Sequence, residues 1–403
     1  MSEPIVVAGA GIGGLAAALA LSRVGRRVEL VERAAEIREV GAGLQVGPNG
    51  FRALDRLGIA DAVDAICFRP AAIVMRDSVT GEELARQVLG ATFEARFGYP
   101  YRVAYRADLQ AVLLRAVQRS TDVTISLGDG VSGIEQREDQ VEVQLDSGRM
   151  IRGSALVGAD GIRSRTRDHL LGDGAPRVSG HVAYRAVLPV GAVPADVLSD
   201  MVQVWVGPRH HLVCYRLRGG ALFNIVAIFH SRREVEGWDT TGDAAELGRA
   251  FAGACDGVQR LLAMIAGWRM WVLCDRDPDD RWTDGRVTLL GDAAHPMLPF
   301  LAQGACMAIE DAVALADRVA AADIPSAFAA YAAARAPRNA SVQLAAREAG
   351  IAYHADGAAR TARNSAMRAR AEDDYEANAW LFESDGPRPT VSTIPRPGLF
   401  GRP

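Results

Sequence analysis

Residues 4–8 (PIVVA) form a short apolar run that stops at glycines, and residues 12–24 (IGGLAAALALSRV) then carry apolar side chains at helical spacing. A run without alternation suits a strand buried on both faces, and the period that follows suits a helix. Residues 28–32 (VELVE) return to a strand pattern, so strand, glycine turn, helix and strand follow one another in about 30 residues, a βαβ unit. Two further helices are predicted at 48–58 and at 106–120 (RADLQAVLLRAVQRS), and between them AAIVMRD and the segment around Glu83 predict strands of another sheet. The runs 122–127, 131–136 and 140–145, with the turn Asp146-Ser147-Gly148, predict a meander.

From 180 to 229 the pattern is almost wholly strand-like (HVAYRAVLPV, MVQVWVG, HHLVCYRLRGG, ALFNIVAIF), which predicts an antiparallel sheet in a second domain. RVTLLGD at 286–292 predicts one more buried strand, followed by an alanine-rich helix from about Ala305, and residues 325–380 read as helical. The expected fold class is therefore α/β. A Rossmann-like nucleotide-binding domain is discontinuous in sequence (1–72, 98–178 and 277–345). An antiparallel β-sheet substrate domain occupies 73–97 and 179–276, and a C-terminal helical region follows at 346–384. Residues 385–403, with five prolines, predict a mobile tail.

Composition narrows the chemistry. The 403 residues are 49% hydrophobic with a net charge of −4, and all 45 basic residues are arginine. A chain without lysine cannot form an internal Schiff base with pyridoxal phosphate, run Schiff-base aldolase chemistry or supply a Walker-type phosphate lysine. The near-neutral balance also argues against general nucleic-acid binding. Five scattered cysteines without a CxxC pair suggest neither a disulfide framework nor a zinc cluster. The N-terminus does not read as a signal peptide, and no apolar stretch reaches the roughly 18 residues of a membrane span. A cytoplasmic protein is expected.

The glycines of GAGIGG satisfy GxGxxG at Gly9, Gly11 and Gly14, with Gly13 between them. They allow a tight turn, close approach of main-chain N–H groups to a pyrophosphate, and tight packing of helix on strand. Glu32 ends the next strand, where a carboxylate can accept ribose hydroxyl hydrogen bonds. Two more segments, LVGADGIRSRTR at 156–167 and VTLLGDAAH at 287–295, are strand-to-turn transitions that end in small residues and an aspartate.

Together with Arg106, these three motifs resemble the flavoprotein aromatic hydroxylases with a single FAD domain, over residues 4 to about 380. The resemblance implies that Asp160-Gly161, with Ser164 and Arg167, lies near the FAD and is associated with the nicotinamide cofactor. It implies that Asp292 of Gly291-Asp292 meets the flavin ribityl chain. Glu32 and Arg33 would flank the adenosine ribose, Arg106 the ribityl or pyrophosphate region, and the main chain near Val131 the adenine. Gln45 would lie close to the flavin, and the N–H groups of Gly304 and Ala305 would meet the pyrimidine edge. A single GxGxxG agrees with transient docking of NADH or NADPH, with NADH favoured by resemblance. A homodimer is expected on the same ground.

In HHLVCY, His211 and Tyr215 are four residues apart, an even spacing that puts both on one face of a strand, with His210 on the other. The pair resembles an element of the 3-hydroxybenzoate 6-hydroxylases and the 6-hydroxynicotinate 3-monooxygenases, which implies that the histidine accepts the phenolic proton. A core His and Tyr satisfied by main-chain groups is the alternative. His295, after GDAA, is expected to be structural, and His169, His181, His230 and His354 have no spacing that suggests metal. PMLPFLAQGACMA at 296–308 should cross the flavin face. There the 3-hydroxybenzoate enzymes imply a glutamine near 299 and the hydroxynicotinate enzymes a histidine near 300. This chain has Pro299 and Phe300, a more apolar wall. Asp77 and Tyr101 fall in segments that resemble pocket segments of the 3-hydroxybenzoate enzymes, with a turn carboxylate and a packing tyrosine as the alternatives.

The implied activity is FAD-dependent hydroxylation of a small phenolic acid with NAD(P)H and molecular oxygen through a C4a-hydroperoxyflavin. Decarboxylative salicylate-type chemistry, hydroxynicotinate hydroxylation and a flavin-binding protein without turnover are the alternatives.

Overall fold

The computed structural model describes residues 3–37, 42–232 and 240–383, and the tail predicted at 385–403 lies outside them. The chain divides into two compact units. The first comprises residues 1–66, 104–177 and 274–346, and the second 67–103, 178–273 and 347–403. The fold is α/β, and the C-terminal helices beyond residue 346 group with the second unit.

The first unit is built on a six-stranded sheet in the order Thr283–Asp284, Val287–Leu289, Ala155–Gly158, Ile5–Ala8, Val28–Glu32, Val123–Leu127. Ile5–Ala8 pairs in parallel with strands on both sides, and its four residues are all buried. That is why its sequence is continuously apolar rather than alternating. The helix Ile12–Arg23 is buried on nearly every side and packs against the helices Arg106–Gln118 and Gly304–Ala321. A three-stranded meander, Val131–Gln136, Val141–Leu145 and Met150–Gly153, closes Val131, Val141, Val143, Leu145 and Ile151 over Val6, Ala8 and Val31.

The second unit is built on an eight-stranded sheet in which Arg177–Pro189, Leu222–His230, His210–Leu217 and Val202–Gly207 lie side by side. Their pairings are antiparallel, as the alternation predicts. Val202–Gly207 then pairs in parallel with Ala72–Asp77, because that strand enters from a much earlier stretch of chain rather than through a hairpin. One face of the sheet is covered by two helices that the sequence reading did not anticipate, Ala244–Ala250 and Asp256–Ala263. Leu212, Cys214, Ile225 and Phe229 pack there with Leu247, Phe251, Val258 and Leu261.

Candidate active site

In the first unit the glycine turn is held from three sides. Gly9 N–H donates to the Val31 carbonyl (2.7 Å), Ala10 N–H to the Glu32 carboxylate (2.7 Å), and the buried Gln110 amide to the Ala10 carbonyl (3.2 Å). Gly14 is required by packing, since a Cβ there would sit 1.8 Å from the Gly9 carbonyl oxygen. Gly11 differs. It occupies the N-cap of Ile12–Arg23 without a side-chain cap, and a Cβ there would meet nothing within 4 Å. Open space before uncapped helical N–H groups fits a phosphate-bearing nucleotide. Glu32 also accepts from Ala34 N–H (2.9 Å), and Asp129 N–H donates to the Glu32 carbonyl (3.1 Å). A Cβ on Gly130 would lie 3.0 Å from Arg33 Cβ, so Glu32, the exposed Arg33 and Val131 are brought together.

The second motif is tied to the third. Asp160 accepts from Ser164 Oγ (2.5 Å) and from Thr166 N–H (3.1 Å), and Ser164 caps Arg165–Leu171 by accepting from Arg167 N–H (2.8 Å). The Arg167 side chain is buried. It donates to the carbonyls of Ala293 (3.0 Å) and Ala294 (2.7 Å) and to Asp173 (2.7 Å). Asp160 thus organises the helix that clamps the Gly291-Asp292 turn, while Asp292 itself is exposed.

Gly304 and Ala305 open the helix Gly304–Ala321 and carry its first N–H groups, after Ala302 at φ 53°. Gln45 lies beside this start, where its carbonyl accepts from Cys306 Sγ (3.8 Å), and Arg106 opens its own helix with its N–H on the Ala42 carbonyl (2.9 Å). Phe300 is buried and Pro299 half-buried in the short turn between.

Beneath this turn lies a buried polar network that the sequence reading missed. Asp311 receives His295 Nε2 (2.5 Å), Arg335 Nε (2.6 Å) and Asn339 Nδ2 (3.1 Å). Glu310 receives Asn49 Nδ2 (2.7 Å), Arg335 Nη1 (2.7 Å) and Arg338 Nε (2.9 Å), and Asn49 also donates to Gln303 (2.9 Å). Burial alone would raise the Asp311 carboxyl, but His295 and Arg335 hold it well below the usual range. Burial likewise opposes ionisation of Glu310, and Arg335 and Arg338 overcome it. A sequence signal did exist: Glu310-Asp311 sits inside the apolar run MAIEDAVALA, and such a pair needs buried cations. His295 has the structural place expected of it.

In the second unit His211 and Tyr215 share one face of His210–Leu217 and are both buried. His210 is on the opposite face, bonded to Ser78 Oγ (2.8 Å) and packed on Phe251. His211 Nδ1 lies 2.7 Å from His354 Nε2. Burial pushes the His211 imidazole down to about 3, and the neighbouring His181 and His210 add to that. His211 is therefore uncharged at neutral pH.

Spacing suggested no partner for His354, His230 or His181, yet the fold gathers them. His230 Nε2 is 3.1 Å from both His354 Nδ1 and His181 Nε2. The residues come from segments 49 and 124 positions apart, and no local motif could have signalled this.

Asp77 and Tyr101 are both buried in the second unit. Asp77 is fully buried, and its oxygens accept from Arg360 (2.8 and 2.7 Å), Asn364 (2.6 Å), Val79 N–H (2.8 Å) and Thr80 N–H (3.0 Å). Burial would raise its carboxyl, but Arg360, Asn364 and the two N–H groups keep it well below the ordinary value. It anchors the helix Gly357–Arg368, and its acceptor positions are used by the chain itself. Tyr101 packs edge-on against Phe93 and Phe382.

Residues 3–344 match the model of the FAD binding domain family. The chain is 43% identical to a 3-hydroxybenzoate 6-hydroxylase of Polaromonas naphthalenivorans, over 94% of this chain and 95% of that one. The structure of Klebsiella pneumoniae HpxO complexed with FAD and uric acid superposes with a TM-score of 0.84, at 27% identity, covering 94% of this chain and 96% of that one. A salicylate hydroxylase substrate complex superposes with a TM-score of 0.81, at 27% identity, covering 95% and 96%.

Proposed function

The chain belongs to the FAD-binding-domain family of flavin-dependent aromatic monooxygenases, and from that premise we propose that it hydroxylates a 3-hydroxybenzoate-like phenolic acid para to the phenolic oxygen, giving a gentisate-type product. Bound FAD supplies the redox chemistry between NAD(P)H, for which NADH is favoured, and molecular oxygen. The chain's own part is to hold the cofactor and to ionise the substrate.

For the cofactor, Gly9 makes the tight turn, and the N–H groups at Gly11, Gly13 and Gly14, at the start of the following helix, take the pyrophosphate. Glu32, Arg33 and the main chain at Val131 take the adenosine. Arg106, Gln45 and Asp292 serve the ribityl and flavin portion, and Gly304 and Ala305 donate to the pyrimidine edge. Asp160 acts by fixing the helix that clamps the Asp292 turn. Every phosphate contact in this scheme is made by a main-chain N–H, a helix terminus or an arginine, as a chain without lysine requires.

For the substrate, the observation that carries the reading is the hydrogen bond between His211 Nδ1 and His354 Nε2. When His211 donates through Nδ1–H, its lone pair is on Nε2, and that atom accepts the phenolic proton. A phenolate formed beside a buried imidazole supplies the counter-charge that stabilises its protonated form. Removing the proton enriches the ring with electrons, the condition for attack on an electrophilic oxygen. Tyr215 donates to the substrate oxygen from the same strand face.

Purified holoenzyme assayed for NADH and NADPH oxidation across hydroxybenzoates, salicylate and hydroxynicotinate tests this, with the product identified by mass spectrometry and NMR. The expected result is fastest turnover with 3-hydroxybenzoate and a para-hydroxylated product. No substrate-stimulated oxidation in the panel would overturn it. The likeness to salicylate hydroxylase favours a second reading, decarboxylative hydroxylation of salicylate, which carbon dioxide release distinguishes. No helix among the described residues is long and apolar enough to cross a membrane, and no disulfide joins the five cysteines. A cytoplasmic homodimer completes the proposal, and light scattering tests the dimer.

A further inference from the structure

His181 and His230 are directly paired across two antiparallel strands, so their side chains leave the sheet on one face. His211 is paired with Ile228, two residues before His230, which places His211 on that same face one strand further along. His354 follows the helix Ile324–Tyr353 and meets all three of these imidazoles in tilted ring contacts. His181 Nε2, His230 Nε2 and His354 Nδ1 converge, with two separations of 3.1 Å and all three atoms within 4.8 Å of one another.

We propose that His181, His230 and His354 form a binding site for a zinc-class divalent cation, and that a cation held there switches off His211 by reversing its tautomer.

Zinc bound to imidazole at about 2.0–2.1 Å in a tetrahedral arrangement sets neighbouring nitrogens about 3.3 Å apart. The two separations of 3.1 Å lie close to that, and the third lies within 4.8 Å. Imidazole is the ligand such ions favour, and it must be uncharged to bind. His354 is buried, whereas His181 and His230 are half-buried and give an ion access from solvent and an open fourth position for water. Arg209 faces His181 and His230 and opposes positive charge there, which limits the affinity and favours a reversible, regulatory occupant over a permanent one.

The switch follows from the two nitrogens of His354. The role proposed for His211 requires that, without metal, His354 donates through Nδ1–H to His230 Nε2 and accepts at Nε2 from His211 Nδ1–H. His211 then keeps its lone pair on Nε2. A cation on His354 Nδ1 moves its single hydrogen to Nε2, which must now donate to His211 Nδ1, and the hydrogen of His211 moves to its own Nε2. Each imidazole keeps one N–H throughout, and no net proton is gained or lost. His211 Nε2 becomes a donor and cannot take the phenolic proton.

The metal site stands on the three imidazoles alone, whereas its effect on turnover rests on the role proposed above for His211. The FAD-loaded enzyme is treated with chelator, dialysed and titrated with zinc chloride, with bound metal counted by atomic spectroscopy. One equivalent is expected in the wild type and in His169→Ala, an exposed histidine elsewhere. His181→Ala and His230→Ala should each weaken binding by at least about tenfold, with unchanged circular dichroism as the check on folding. No bound zinc, or equal affinity in folded His181→Ala and His230→Ala, overturns the site. Zinc should also inhibit substrate-stimulated NADH oxidation in the wild type and spare His181→Ala, without releasing FAD. Stoichiometric binding without inhibition leaves the site standing and overturns His211 as the proton acceptor.

Discussion

In the first unit the groups proposed for a nucleotide are mostly main-chain N–H groups at Gly11 to Gly14 and at Gly304 and Ala305, whereas in the second unit the candidate proton acceptor is one of four imidazoles drawn from four segments of chain. A main-chain site needs residues that let the backbone approach, so it leaves short glycine-rich patterns. A side-chain site needs only that the right groups end on one sheet face, and the intervening sequence is free. The first kind is exposed to steric damage at single positions. The second is exposed to changes in hydrogen bonding and protonation.

The sharpest test of the contrast sets Gly14 against Gly11. Gly14→Ala puts a Cβ against the Gly9 carbonyl oxygen and should cost the fold of the turn, on the order of 3 kcal/mol or more, with loss of bound flavin absorbance and a much lower Tm. Gly11→Ala meets nothing in the chain and should leave the apoprotein Tm within about 2 °C while weakening FAD binding. Equal loss of stability in both would break the distinction between a packing glycine and a ligand-facing one.

The support under the first unit's second helix terminus should behave as side-chain chemistry does. Asp311→Ala takes one of its two buried carboxylates from Arg335, removes the shared acceptor of His295 and Asn339, and should cost about 3–5 kcal/mol, read from urea unfolding. The carboxyls of Asp311, Glu310 and Asp77 are all held below their unfolded values. Their contribution is therefore complete above about pH 5, and it is lost as pH falls from there toward the folded values. Acid unfolding should move to higher pH in Asp311→Asn.

Smaller effects are expected where chemistry rather than folding is touched. His211→Ala should keep FAD and lower the hydroxylation rate by about 100-fold, measured in single turnover with the best substrate. Unchanged turnover would remove His211 from the mechanism. Tyr215→Phe removes one hydrogen bond and should lower the rate by about fivefold to tenfold. A Tyr215→Phe loss larger than that of His211→Ala would reverse the roles assigned to the two.

Much of the architecture was readable because its signals are local. Ile5–Ala8, Ile12–Arg23 and Val28–Glu32 follow the predicted βαβ order, and Arg106–Gln118 and Pro48–Arg56 lie within the predicted helices. The helices Ala244–Ala250 and Asp256–Ala263 were not foreseen, because each is short and is stabilised by packing on the sheet rather than by its own period. The parallel pairing of Val202–Gly207 with Ala72–Asp77 joins strands far apart in sequence, which an alternation pattern cannot register. The bonds from Arg360 and Asn364 to Asp77 span nearly 300 positions and likewise leave no mark in its own segment.

The sequence by itself determined that this chain has a nucleotide-type βαβ unit, three FAD-family motifs in order, and no lysine to hold a phosphate. These properties depend on residue type and near spacing, which fix main-chain geometry directly. Only the tertiary structure decided that Arg167 clamps the Ala293 and Ala294 carbonyls, that Asp311 is held by His295 and Arg335, and that His211 bonds to His354 within a group of four histidines. Those contacts depend on where side chains from separate segments finish, and that is set by sheet register and helix packing rather than by any stretch of chain alone.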